Sequence, residues 1–111
     1  MPAKKIGGFT LRNGGGFVCR GKVAYEDEDE QKVVTDDETG DILLGQQAEV
    51  DPGSLGVPDG AKMWLYVHVI AGSDSEAFHR YRYEKGNKNK AHYVITGTTL
   101  SNYLGLISEG P

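Results

Sequence analysis

Apolar and polar residues alternate most cleanly over positions 62–70, where Met63, Leu65, Val67 and Val69 take every second place. A period of two is that of a β-strand with one buried face. Nine residues at about 3.3 Å each would extend roughly 30 Å, which is long for a small domain. The intervening Trp64, Tyr66 and His68 each join an aromatic body to a polar tip, a combination suited to an interface. Turn residues bracket the run, with Pro58, Asp59 and Gly60 before it and Gly72, Ser73 and Asp74 after it.

Weaker alternation predicts further strands. Residues 9–13 alternate up to the triple glycine Gly14, Gly15 and Gly16, which permits a tight or bulged turn. In the next strand Phe17, Cys19, Val23 and Tyr25 share one side, opposite Arg20 and Lys22. Residues 26–30 are all acidic and form a solvated loop. A short strand over 31–35 leads to turn chemistry ending at Gly40, and residues 41–45 and 47–51 are two short strands or one bent at Gly45. Residues 77–83 and 91–96 add two more, joined by a polar Gly-Asn-Lys segment. Residues 98–107 fit a strand or a short helix, and strand is preferred because Gly97, Gly105, Thr98 and Thr99 weaken a helix. Seven to nine short strands bounded by turn residues predict an all-β fold. The expectation is a single-domain antiparallel β-sandwich over residues 1–111, immunoglobulin-like or jelly-roll-like, with 1–7 as a flexible lead-in. No repeat of constant period points to a propeller or solenoid.

The register of the later strands decides which side chains share a face. If paired positions in the hairpin of 62–70 and 77–83 sum to an odd number, Arg80 and Arg82 fall opposite Val67 and Leu65 on the dry side, unpartnered, at a cost of several kcal/mol each. An even sum, such as Tyr66 opposite Arg80 and Trp64 opposite Arg82, puts Tyr81 and Tyr83 in the core instead. Extending the rule to the following strand places Tyr93 and Ile95 in the core. Trp64, Tyr66, His68, Arg80, Arg82, His92 and Thr96 then share one outer face.

Composition narrows the function. With 16 glycines among 111 residues and 4 prolines, the glycines read as turn punctuation. A net charge of −4 argues against a nucleic-acid binder. Cys19 is the only cysteine, so no intramolecular disulfide forms, and on the core side of its strand it reads as a small buried hydrophobe rather than a nucleophile. No stretch has the length of a signal-peptide core or a membrane span. These features lead to the expectation of a cytoplasmic protein, or one released without a recognisable signal peptide.

On the outer face Trp64, Tyr66, Arg80, Arg82 and His92 are the candidate ligand-binding group. Tryptophan and tyrosine beside arginine offer a stacking platform for a sugar ring, a lipid headgroup or a protein surface. The simpler reading is an ordinary cross-strand ladder. Three histidines on successive strands suggest zinc, but His79 is expected to face the core while His68 and His92 face outward, so they do not converge. Asp36, Asp37 and Asp41 are weak calcium candidates, with Asp27, Asp29 and Glu30 nearby in sequence, although the EF-hand spacing is absent. The acid run also suits a charged guard against edge pairing. Lys85, Lys88 and Lys90 form a small basic tip able to meet anionic headgroups. No motif of hydrolase, zinc protease or nucleotide-binding type is present, and no catalytic residue is assigned.

In layout this disulfide-free chain, with its aromatic and basic surface groups, is similar to the small single-domain β-sandwich cytolysins of fungi and sea anemones. That similarity implies action on lipid through aromatic and basic surface groups, although no motif carries individual residues over and Trp64 stands alone. The expectation is a non-enzymatic binding module for a carbohydrate, lipid headgroup or protein surface, acting through the aromatic–arginine face or the end loops. Alternatives are a self-assembling protein using that face as a homodimer interface, or a cytolysin-like membrane-binding protein.

Overall fold

In a computed structural model, residues 3–111 are described and form ten strands, with no helix among them. The strands are β1 (Lys4–Ile6), β2 (Gly8–Asn13), β3 (Cys19–Glu26), β4 (Lys32–Val34), β5 (Gln47–Val50), β6 (Lys62–Val69), β7 (Ser75–Glu76), β8 (Tyr81–Tyr83), β9 (Lys90–Gly97) and β10 (Asn102–Gly110). They make two sheets, one ordered β1-β8-β6-β3-β4 with β7 on β6, the other β10-β9-β2-β5. The all-β expectation holds, and the segment with two readings, 98–107, supplies most of strand β10.

The sheets are mixed, which corrects the purely antiparallel expectation, and the strand count exceeds the seven to nine anticipated. β1 runs parallel to β8, and β2 runs parallel to β9. The cause is a pair of crossovers lying side by side. Gly7 carries the chain from one sheet to the other, residues 84–89 do the same between β8 and β9, and the Gly7 amide donates to the Asn89 carbonyl at 2.8 Å. Two strands that end together and cross together must continue in the same direction. Lys4, Lys5 and Ile6 are therefore an edge strand rather than a lead-in.

Register parity is as argued from the arginines. Lys62 pairs with Arg82 and Met63 with Tyr81, an even sum displaced by two residues from the expected alignment. Tyr81 and Tyr83 accordingly join Met63, Leu65, Val67 and Val69 in the core, where Tyr93, Ile95, Phe9 and Leu11 meet them from the opposite sheet. The neighbours of β9 differ from the expectation. This strand pairs with β2 and β10 rather than β8, so His92 and Thr96 lie on the far side of the molecule from the arginines.

Strand directions define two ends. β2, β6 and β9 run toward one end, where loops 14–18, 43–46, 70–74 and 98–101 gather. Loops 26–31, 51–61 and 84–89 occupy the other. The molecule measures 35 × 29 × 25 Å.

Candidate functional site

The aromatic–arginine group is largely self-satisfied. Trp64 is only 3% exposed. Its ring lies beneath the Arg80 guanidinium, 3.8 Å from centroid to carbon, and its Nε1–H donates to Glu76 at 3.0 Å. Arg80 is fixed in that position by donating to the carbonyls of Ala77 and Phe78, at 2.8 and 3.0 Å. Tyr66 donates its hydroxyl proton to Asp74 at 2.7 Å, a bond that together with burial pushes its pKa up to about 12. Arg82 donates to the Gly60 carbonyl at 2.9 Å. Of the four, Trp64 and Arg80 touch each other, and Tyr66 and Arg82 are each bonded elsewhere.

His92 stands apart on the second sheet, between the Thr10 hydroxyl at 2.8 Å and the Gly110 carbonyl at 3.1 Å. His79 is exposed rather than core-facing, because residues 77–80 bridge β7 and β8 and break the alternation. Phe78 beside it is 90% exposed.

The calcium candidates do not converge. Asp41 accepts from Arg20 Nε at 2.7 Å, and Arg20 also donates to Glu38 at 2.7 Å. Among the described residues no group of three or more acids, histidines or cysteines is arranged to hold a metal ion. Asp27 instead closes the β3–β4 turn, its Oδ1 accepting the amides of Asp29 and Gln31, both at 2.9 Å. Cys19 is fully enclosed, and burial pushes its thiol up to about 11.

The end loops give the more distinctive surface. Asn13, buried at the end of β2, ties them together. Its side-chain amide donates to the carbonyls of Phe17 and Ile42 at 2.6 and 2.9 Å, and its Oδ1 accepts the Gly15 amide at 2.9 Å. Its backbone amide donates to the Gln46 carbonyl and its carbonyl accepts from Gly45, at 2.9 and 2.7 Å. Loop 70–74 is bound to loop 98–101 by the Ser73 amide on the Thr99 carbonyl at 2.8 Å. At Gly72 a Cβ would press into that same carbonyl, so the approach requires glycine. Gly97, at φ +104°, turns the chain from β9 into loop 98–101.

This framework holds apolar side chains outward. Leu44 is 65% and Leu100 77% exposed, with Leu43 and Tyr103 exposed alongside. Leu43 and Leu44 lead into β5 at one edge of the second sheet, and Leu100 caps the β9–β10 turn at the other. That places them on the order of 10–15 Å apart from strand spacing. Asp74 is the single charged residue in loops 14–18, 43–46, 70–74 and 98–101. It is exposed, and its two oxygens accept from the Tyr66 hydroxyl and the Val69 amide.

The opposite end is highly charged. Residues 26–30, Asp51, Asp59 and Glu84 lie there with Lys85 and Lys88. A cleft of about 540 Å³ there is lined by Glu26, Asp27, Glu28, Asp59, Lys62 and Arg82 among others. The basic tip is thus interleaved with acids, and Lys90 is paired with Glu49 at 2.7 Å.

No family model matches the chain, and no curated protein matches it. Solved structures do. A structure described as the sugar binding protein pneumolysin aligns over 94% of this chain and 23% of its own, at 14% identity and a TM-score of 0.50. The fold is similar to part of pneumolysin. This chain therefore spans under a quarter of the length of that protein. The membrane-binding domain of pneumolysin, solved separately, aligns over 95% of this chain and 98% of its own, at 15% identity and a TM-score of 0.45. Listeriolysin O aligns over 91% of this chain and 22% of its own, at 15% identity and a TM-score of 0.47.

Sequence reasoning named the end loops only as a group and missed the individual leucines. Two signals were available. Adjacent Leu43 and Leu44 cannot both face one side of a strand, and Leu100 sits among Thr98, Thr99 and Ser101 in turn-rich surroundings.

Proposed function

We propose that this chain is a non-enzymatic module that binds a membrane surface through its leucine-bearing end. The observation that carries the reading is the exposure of Leu43, Leu44 and Leu100 on loops whose single charged residue is Asp74, opposite an end crowded with acids and lysines. Exposed leucines confined to one end mark an interaction surface. Tyr103 adds an amphipathic ring of the type that sits at headgroup level. Each leucine contributes about 1–2 kcal/mol when it leaves water for the bilayer interface. Three of them give reversible attachment rather than permanent insertion.

Pneumolysin is described as a sugar binding protein and as having a membrane-binding domain. Carried to this chain, both descriptions favour the cytolysin-like alternative over an arginine-face binder or homodimer. Vesicle flotation with the intact chain tests the proposal. Wild-type protein floats with the vesicles, and Leu44→Ser combined with Leu100→Ser stays behind while keeping its denaturation midpoint. Absence of wild-type flotation on every lipid composition, or unchanged flotation of the double variant, overturns it. A glycan array run in parallel asks whether the attachment includes a sugar.

A further inference from the structure

We infer that the surface taken by the leucine-bearing end is an electrically neutral, zwitterionic bilayer, and that anionic lipid adds nothing to the attachment; this rests on the membrane-binding reading above. The basic residues that would favour anionic headgroups are in the wrong place. Lys85 and Lys88 belong to loop 84–89, at the opposite end of β9 from Leu100, in a molecule whose long dimension is 35 Å. The Debye length is about 8 Å at physiological salt, so their field has decayed over several screening lengths before it reaches a bilayer at the leucines. They also have acids for neighbours: the Lys85 amide is bound by Asp59, and Glu84 precedes it.

Nearer the leucines, charges cancel locally. Arg20 lies between Glu38 and Asp41, each at 2.7 Å, and His68 contacts Glu38 at 3.0 Å. Asp74, exposed and bonded only to the neutral Tyr66 hydroxyl and Val69 amide, adds a negative charge at this end rather than a positive one. Arg12, across from Gln47 in the strand below the loops, is a single exposed cation. One arginine set back from the contact does not make the polybasic patch that anionic-lipid recognition requires. With a net charge of −4 the whole molecule is repelled by an anionic surface at long range. Apolar contact without cationic steering therefore selects a surface that carries no net charge.

The test is flotation on vesicles of phosphatidylcholine alone and of phosphatidylcholine mixed with phosphatidylserine, each at low and at physiological salt. The expected result is attachment to phosphatidylcholine alone that salt leaves unchanged. Phosphatidylserine then leaves the bound fraction within about twofold or lowers it at low salt. A rise of several-fold on phosphatidylserine that salt abolishes overturns the inference while leaving membrane binding itself intact. Failure to float on either vesicle removes the membrane-binding reading and this inference with it. Lys85→Glu combined with Lys88→Glu is expected to float as wild type. Loss of binding in that variant would move the contact to the charged end and refute the neutral-surface assignment.

Discussion

The Arg80 guanidinium rests on the Trp64 ring at 3.8 Å, so the one tryptophan of the chain is roofed by a cation rather than offered to a ligand. Replacing Arg80 with alanine removes that roof and exposes the indole. Trp64 emission is expected to shift to longer wavelength, with a stability loss of about 0.5–2 kcal/mol. A spectrum identical to wild type would show that the ring is covered by something else.

Asn13→Ala should be far more damaging than its small volume suggests. The Phe17 carbonyl loses its side-chain donor, the Ile42 carbonyl keeps only Cys19 as a donor, and the Gly15 amide loses its acceptor. The expected cost is about 2–4 kcal/mol in a urea melt. A loss below about 1 kcal/mol would mean that the end loops hold together without it.

Tyr93 offers the opposite case. Its hydroxyl is buried with no hydrogen-bond partner among the described residues, whereas that of Tyr81 donates to Glu109. Tyr93→Phe should be neutral or stabilising by up to about 1 kcal/mol, and Tyr81→Phe should cost about 1–2 kcal/mol. Thermal melts of the two variants decide, and equal losses would contradict the assignment.

Acid should loosen the connection between β4 and β5. Burial tends to raise the Glu38 carboxyl, but the bonds from Arg20 and His68 prevail and hold it below its ordinary 4.5. Glu109 is lowered in the same way, by Lys4 first and then Tyr81. A carboxyl depressed in the folded state contributes stability above its unfolded pKa and loses it as pH falls through the folded value. Urea midpoints are therefore expected to decline below about pH 4.5, less steeply in Glu38→Gln. Parallel pH profiles for the variant and the wild type would count against the Glu38 contribution.

Cys19 should report unfolding. Enclosed and with its thiol pushed up to about 11, it presents almost no thiolate at neutral pH. Labelling by a disulfide reagent should be slow in native buffer and accelerate with the urea transition. Rapid native labelling would show that β3 opens locally.

How much of this was legible in the chain differs from element to element. The core membership of Tyr81 and Tyr83 could be derived because Arg80 and Arg82 cannot be buried unpaired, which leaves one parity. The partner of β9 could not be derived. Tyr93 and Ile95 alternate identically whether their strand pairs with β8 or with β2, and the β2 pairing links residues about eighty positions apart. Trp64 was placed outward by alternation, correctly as to side, but its cover comes from Arg80 and Glu76, whose positions depend on the break between β7 and β8. The leucine-bearing end stayed hidden because leucine in a sequence ordinarily signals interior. Only the strand directions reveal that Leu43, Leu44 and Leu100 emerge at the same end.

The side-by-side crossovers at Gly7 and residues 84–89 also set an order of assembly. Among the described residues β1 pairs in its sheet with β8 alone, and β2 needs β9 on one flank. During synthesis β1 and β2 must therefore wait, unpaired along at least one edge, until residues 81–97 have left the ribosome. Such long-range closure predicts slow folding for a chain of this size. It also gives a chaperone a defined target, the waiting strand around Phe9 and Leu11.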